Sequence, residues 1–200
     1  MTLDYIVNKY NIDLKNRSPF WINCNRLTDL PQLFKELNFK VGAEIGVLKG
    51  QYSEILCQAL PDTKIYSIDP WVYYPVYKNF RRAHNYEPLY QEAKQRLSVY
   101  PNNEIIRKSS LEAVNDFEDG SLDFVFIDAD HRFAPFVDDL AVWTPKVRKG
   151  GIMAGHDMGR SHSKDFVHVR FVIPAWCAAY RIHPWFVLEA PKQRSWMWVN

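Results

Sequence analysis

Apolar residues along this chain fall into two rhythms: short runs that are almost continuous, and longer stretches in which they recur every three or four positions. The runs read as strands over Val41–Ile45, Lys64–Ile68, Glu104–Arg107, Leu122–Ile127 and Ile152–Ala154. Of these, Leu122–Ile127 is the kind buried on both faces. The stretches between read as helices. Leu30, Leu33, Phe34 and Leu37 share one face of a helix that Thr28 or Asp29 can cap, with Pro31 in its first turn and its end near Asn38. Tyr52, Ile55, Leu56 and Ala59 mark a second, stopped by Pro61. Leu89, Ala93 and Leu97 mark a third that ends before Pro101, and Leu111–Val114 a short fourth. Phe136, Leu140, Trp143 and Val147 mark a fifth, with Pro135 near its start and Gly150–Gly151 beyond its end. This alternation predicts an α/β fold, a doubly wound parallel sheet with helices on both faces. Trp185–Glu189 and Ser195–Val199, flanking the segment 191–194, add a C-terminal antiparallel hairpin.

Three segments do not resolve this way. Residues 1–27 have mixed polarity, with Tyr5, Ile6 and Tyr10 on one helical face, and read as an N-terminal cap or lid ahead of a single domain over 28–200. Residues 165–180 fit either a helix or a strand ending before Pro174. The aromatic stretch Trp71–Pro88, WVYYPVYKNFRRAHNYEP, is too long for a simple connection and is suspect as functional.

Composition narrows the class. Two hundred residues, 47% of them hydrophobic, suffice for one domain with a sizeable core. Twenty-five Lys and Arg against 23 Asp and Glu leave a net charge of +2, which gives no electrostatic basis for a nucleic-acid or membrane partner. Cys24, Cys57 and Cys177 are odd in number and far apart, so neither a disulfide framework nor a zinc site is expected. The N-terminus has no apolar run long enough for a signal peptide or a membrane span, and the expected compartment is the cytoplasm.

The chemistry concentrates at strand ends. VGAEIGVLKGQYS over Val41–Ser53 is a buried strand turning tightly into a helix, with Gly46 and Gly50 letting the backbone approach a ligand. Three more strands end in acids, Asp69, Asp128 and Asp157. An acid about 20 residues beyond a glycine turn is placed to accept both hydroxyls of a ribose. A dinucleotide site wants Gly-x-Gly-x-x-Gly, but here Val47 stands at the second glycine, which argues against a pyrophosphate. Glu44 suits an amino-bearing ligand, which shifts the weight from NAD to S-adenosyl-L-methionine.

The ordered motifs Glu44-x-Gly46-x-x-x-Gly50 with Tyr52–Ser53, Ser67–Pro70, Phe126–His131 and Lys149–Asp157 resemble the class I S-adenosylmethionine-dependent methyltransferases. Within these the chain is similar to bacterial small-molecule O-methyltransferases of the macrolide-sugar and aminocoumarin-sugar type, with catechol O-methyltransferase more distant. The likeness covers about residues 28–160. It implies a Rossmann-like seven-stranded sheet, with the hairpin as its sixth and seventh strands. It also implies that Glu44 and Gly46 line the methionine end of the cofactor, with Val47, Gly50 and Ser53 completing the turn. Asp69 would hold the ribose, Trp71 would lie beside the cofactor, Ser109 or Ser110 near the adenine, and Asp128 at its border. Several relatives hold a divalent metal at positions that here are Asp128, His156 and Asp157. His156 departs from the usual acidic pair, so the expectation moves from magnesium toward manganese, iron or no metal, and stays open. Asp130 or His131 is the candidate general base, and histidine suits neutral pH without tuning.

The resulting expectation is methyl transfer to a hydroxyl of a small molecule, a sugar or natural product. The competing readings are a non-catalytic S-adenosylmethionine- or S-adenosylhomocysteine-binding protein and, against Val47, a nicotinamide-dependent oxidoreductase. His84, His162, His168 and His183 lack a comparable context. Trp176, Trp185, Trp196 and Trp198 read as core, with a homo-oligomer interface as the alternative.

Overall fold

The computed structural model describes residues 1–72, 85–159, 167–190 and 194–200. Along the chain run α1 (Thr2–Lys9), β1 (Phe20–Asn23), α2 (Asp29–Glu36), β2 (Val41–Ile45), α3 (Gln51–Ala59), β3 (Lys64–Ile68), α4 (Glu87–Leu97) and β4 (Asn103–Ile106). They are followed by α5 (Ser110–Ala113), β5 (Leu122–Ile127), α6 (Phe133–Trp143), β6 (Val147–Gly155), α7 (Val169–Ala179), β7 (Trp185–Glu189) and β8 (Ser195–Val199). The strands form one sheet in the order β1-β7-β8-β6-β5-β2-β3-β4. Every pairing is parallel except those β8 makes with β6 and β7. Strand order reverses between β2 and β5, so the crevice for a ligand opens at the carboxyl ends of these two strands.

The continuous apolar run of β5 divides by alternation. Val125 and Ile127 face one cluster with Ala43, Ile45 and Met153, covered by Phe136, Leu140 and Trp143 of α6 and by Val169, Val172, Ile173 and Cys177 of α7. Phe124 and Phe126 face the other, with Leu33 and Phe34 of α2 and Tyr52 and Leu56 of α3. Phe124 stacks on Phe34 at 4.1 Å, and a Cβ on Gly42 would lie 2.2 Å from its ring. The ring therefore occupies the volume a side chain at residue 42 would need.

Four features depart from the sequence reading or complete it. The sheet has eight strands rather than seven, because Phe20–Asn23 adds at the edge, parallel to β7. Residues 1–27, expected as a cap or lid, thus supply an edge strand, and they place Ile6, Phe20, Ile22 and Cys24 in the cluster under α2 and α3. Val147 opens β6 instead of continuing α6, since the chain tightens into a short 3-10 turn over Thr144–Lys146, where Pro145 has no N–H to extend the helix. Gly150–Gly151 lies inside β6 rather than after a helix; Gly150 at φ +77° accompanies the register shift against β5 between Leu122 and Phe124. The ambiguous 165–180 segment carries a helix over Val169–Ala179 that includes Pro174. Most of the aromatic stretch, His84 and His162 lie outside the described residues. Among those residues no helix is long and apolar enough to cross a membrane.

Candidate active site

The turn after β2 is pressed against the chain leaving β5. Gly46 sits at φ +92°, and a Cβ there would fall 2.4 Å from the Asp128 carbonyl oxygen. Gly50, at φ +75°, stands at the N-cap immediately before α3. Asp69, directly beyond β3, holds this turn in place: its Oδ2 accepts the backbone N–H of Val47 at 2.9 Å and of Leu48 at 3.0 Å, and its Oδ1 that of Trp71 at 2.7 Å. The Trp71 indole N–H donates to the Leu48 carbonyl at 2.7 Å. Leu48 at φ +50° and Trp71 at φ +45° occupy left-handed backbone that these bonds keep in place. Trp71 is buried with Val47, Ala93 and Leu97 and lies 5.0 Å from the Tyr90 ring. It packs on the outside of the turn rather than standing as an open platform.

Glu44 is buried on the α3 face of β2, where the hydroxyl of Ser53, itself fully buried, donates to its Oε2. Burial pushes the Glu44 carboxyl well above the ordinary range, and the Ser53 bond opposes this. The charges of Asp128 and Asp69 push it further up, while Arg26 pulls it down. Arg26, just beyond β1, lies 5.1 Å from the Tyr52 ring. Sequence reasoning missed it, because the four-residue strand that delivers it is too short to show a pattern.

The ends of β5 and β6 bring four charged or titratable side chains together. His131 lies between two carboxylates, with Nε2 at 3.2 Å from Asp128 Oδ1 and Nδ1 at 3.2 Å from Asp157 Oδ2. His156 Nδ1 is 3.4 Å from the same Asp128 oxygen and 3.2 Å from Asp157 Oδ1. His131 Nε2 and His156 Nε2 are buried and have no aligned hydrogen bond. Burial lowers the proton affinity of His131, but Asp128, Asp157 and Asp130 outweigh it and hold the imidazole above the ordinary histidine value. For Asp128, burial works upward, and contacts with His131 and His156 overcome it, so the carboxyl lies well below the usual range. Asp157 adopts φ +58°, left-handed backbone at a site residue.

Asp130, the other candidate base, is forked by Arg132: Nε lies 3.0 Å from both carboxylate oxygens and Nη2 2.5 Å from Oδ2. A carboxylate held so is a weak proton acceptor. Ser109 caps α5 in a reciprocal pair with Glu112. Ser110 donates to Asp139 at 2.5 Å and accepts the Trp143 indole N–H at 2.8 Å, tying α5 to α6. Asp139, which the sequence reading passed over, is buried, and burial pushes its carboxyl up to about 7 against the Ser110 bond.

The residues expected to hold a metal, Asp128, His156 and Asp157, do converge. Their oxygens are engaged by imidazole nitrogens, however, and among the described residues no group of three or more His, Cys, Asp or Glu side chains is placed to hold an ion.

Residues 43–158 match the model of a family described as a methyltransferase domain, a span that includes Glu44, Asp69, Asp128, His131 and Asp157. No curated protein matches the chain in sequence. Solved structures share the fold. An O-methyltransferase from Bacillus cereus, in complex with SAH, is similar at a TM-score of 0.65 and 17% identity, over 100% of this chain and 90% of that one. A Staphylococcus aureus protein provisionally described as a caffeoyl-CoA O-methyltransferase is similar at 0.62 and 19% identity, over 99% and 97%. The O-methyltransferase TomG from Streptomyces achromogenes, involved in tomaymycin synthesis and in complex with SAM, is similar at 0.61 and 17% identity, over 86% and 78%.

Proposed function

We propose, since the chain belongs to the methyltransferase-domain family, that it transfers a methyl group from S-adenosyl-L-methionine to a hydroxyl of a small molecule. The observation that carries this reading is the adjacency of two unlike acidic sites. A buried carboxylate, Glu44, lies under the glycine turn, and the Asp128–His131–Asp157 cluster stands at the ends of the neighbouring strands. The donor set fits this cofactor: Glu44 matches its amino group, Asp69 has lone pairs beyond its three backbone bonds for a ribose hydroxyl, and Val47 leaves no diglycine turn for a pyrophosphate. The cofactor supplies an electrophilic methyl group on a sulfonium and leaves as a neutral thioether.

His131 takes the acceptor's hydroxyl proton. The proton goes to one ring nitrogen, whose carboxylate contact gives way to the acceptor, while the carboxylate on the other nitrogen orients the ring and both anions stabilise the imidazolium that forms. Asp130 fixes the Arg132 end of the same loop. The similar structures include O-methyltransferases, which supports oxygen as the acceptor, and the tomaymycin enzyme among them supports a natural product as the class. The test is methyl incorporation from labelled S-adenosylmethionine into hydroxylated small molecules, sugars and phenols included, by the native protein and by His131→Ala. Transfer by the native protein that is lost in the variant is the expected result. Binding without transfer to any acceptor would favour a regulatory cofactor-binding role, and tight NAD binding without adenosyl-ligand binding would overturn the reading.

A further inference from the structure

Behind Glu44 the buried polar groups continue in a line. Ser53 Oγ donates to Glu44 Oε2, Ser67 Oγ lies 2.7 Å from Ser53 Oγ, and the Asn103 side-chain amide lies 2.7 Å from Ser67 Oγ. The line crosses four elements. It starts on the edge strand β4, passes through β3 and α3, and ends on β2, where Ser67 and Glu44 are registered partners. The Asn103 amide NH₂, which can only donate, donates to Ser67, Ser67 donates to Ser53 and Ser53 to Glu44 Oε2, so every bond points toward the carboxyl. A proton on Glu44 Oε1 would leave this line as it stands with weaker, neutral bonds, whereas a proton on Oε2 would reverse the Ser53 bond. Ser67 would then face two donors, with its own hydrogen left without an acceptor in a buried site. The other contacts of the Asn103 amide are longer, 3.4 Å to the Ile65 carbonyl and 3.5 Å to Cys57 Sγ.

We infer that Asn103, Ser67 and Ser53 form a one-way hydrogen-bond relay that holds Glu44 Oε2 as an acceptor and favours the ionised form of Glu44, the form that suits the amino group of the methyl donor. Ser67 and Asn103 are thereby positioning residues that never touch the ligand. The inference rests on the reading of Glu44 under the proposed function. The relay opposes a strong contrary force. Burial disfavours charge on Glu44, and Asp69 beyond β3 and Asp128 beyond β5 add repulsion. Arg26 beyond β1 is the opposing cation, while Tyr52 and Cys57 of α3 stay neutral because burial raises both. A chain of aligned donors ending on the carboxylate adds stabilisation for the ionised form.

The test follows the Glu44 carboxyl carbon by NMR across pH in protein labelled at glutamate, with Glu44→Gln assigning the signal. Removing a donor raises the pKa, so the midpoint should move up by about one pH unit in Ser67→Ala and in Asn103→Leu. Asn103 is half-buried on an edge strand, so its variant decides the matter if Ser67→Ala does not fold. Asn102→Ala is the control, because Asn102 binds the carbonyls of Cys57, Leu60 and Thr63 without touching the relay. It should lower the melting temperature and leave the midpoint in place. An unmoved midpoint in Asn103→Leu, or an equal shift in Asn102→Ala, overturns the relay. In calorimetry, S-adenosylhomocysteine affinity should rise with pH through the Glu44 midpoint, and that rise should move to higher pH in the two relay variants. If the native protein binds no adenosyl ligand, the functional reading fails, and the titration still decides the relay.

Discussion

Around the glycine turn the acids and the indole have partners within the chain. Asp69 accepts three backbone N–H groups, Trp71 closes on Leu48, and Glu44 is served by Ser53. At the ends of β5 and β6 the balance differs: His131 and His156 share two carboxylates, and two ring nitrogens lack an aligned bond. The first region is preorganised, so a ligand finds a finished cradle. The second holds charge in excess of its internal hydrogen bonds, as suits a place where a proton must be received. Under the proposed function, the difference matches cofactor binding in one half and proton transfer in the other.

The largest effect should come from the second half. His131→Ala should lower turnover by about 10²–10⁴-fold with S-adenosylhomocysteine affinity nearly intact, measured by steady-state kinetics beside calorimetry. A matching loss of cofactor affinity would break the division. Next, Asp69→Ala should weaken cofactor binding about tenfold or more and also lower the melting temperature, because it frees the backbone of Val47, Leu48 and Trp71.

A smaller effect sharpens the electrostatics. His131 works as a base only when neutral, and its proton affinity is raised, so kcat should climb with pH to a midpoint above the ordinary 6.5. Asp157→Asn removes one anion, so that midpoint should fall to lower pH and the plateau should drop. The smallest effect lies outside both halves. Asp139 has a folded pKa of about 7, above its unfolded value of about 3.9. The stability it contributes is complete at acid pH and lost as pH rises through 7. Asp139→Asn should therefore gain in melting temperature at pH 8 relative to its effect at pH 5, by about 2–4 °C for each kcal/mol.

The sequence exposes the cradle better than its wiring. Val41–Ser53 and the acids Asp69, Asp128 and Asp157 are legible because apolar strands end abruptly in charged residues, and the parallel sheet follows from the same rhythm. Phe20–Asn23 is not legible: four residues alternating in and out, paired only with the distant β7, carry no local signal. The Gly150–Gly151 pair misleads because glycine marks a helix end and a strand irregularity alike. Side-chain partnerships are the least visible. Nothing in the spelling shows that Arg132 captures Asp130, that Asp69 grips its own turn, or that Asn103 reaches Ser67 across 36 residues of chain.

The division of labour is tested most directly by calorimetric titration of S-adenosylhomocysteine into native protein, Glu44→Gln and His131→Ala under one set of conditions. The account predicts binding to the native protein, about 10–100-fold weaker binding to Glu44→Gln, and unchanged binding to His131→Ala. Affinity indifferent to Glu44, or dependent on His131, would contradict it.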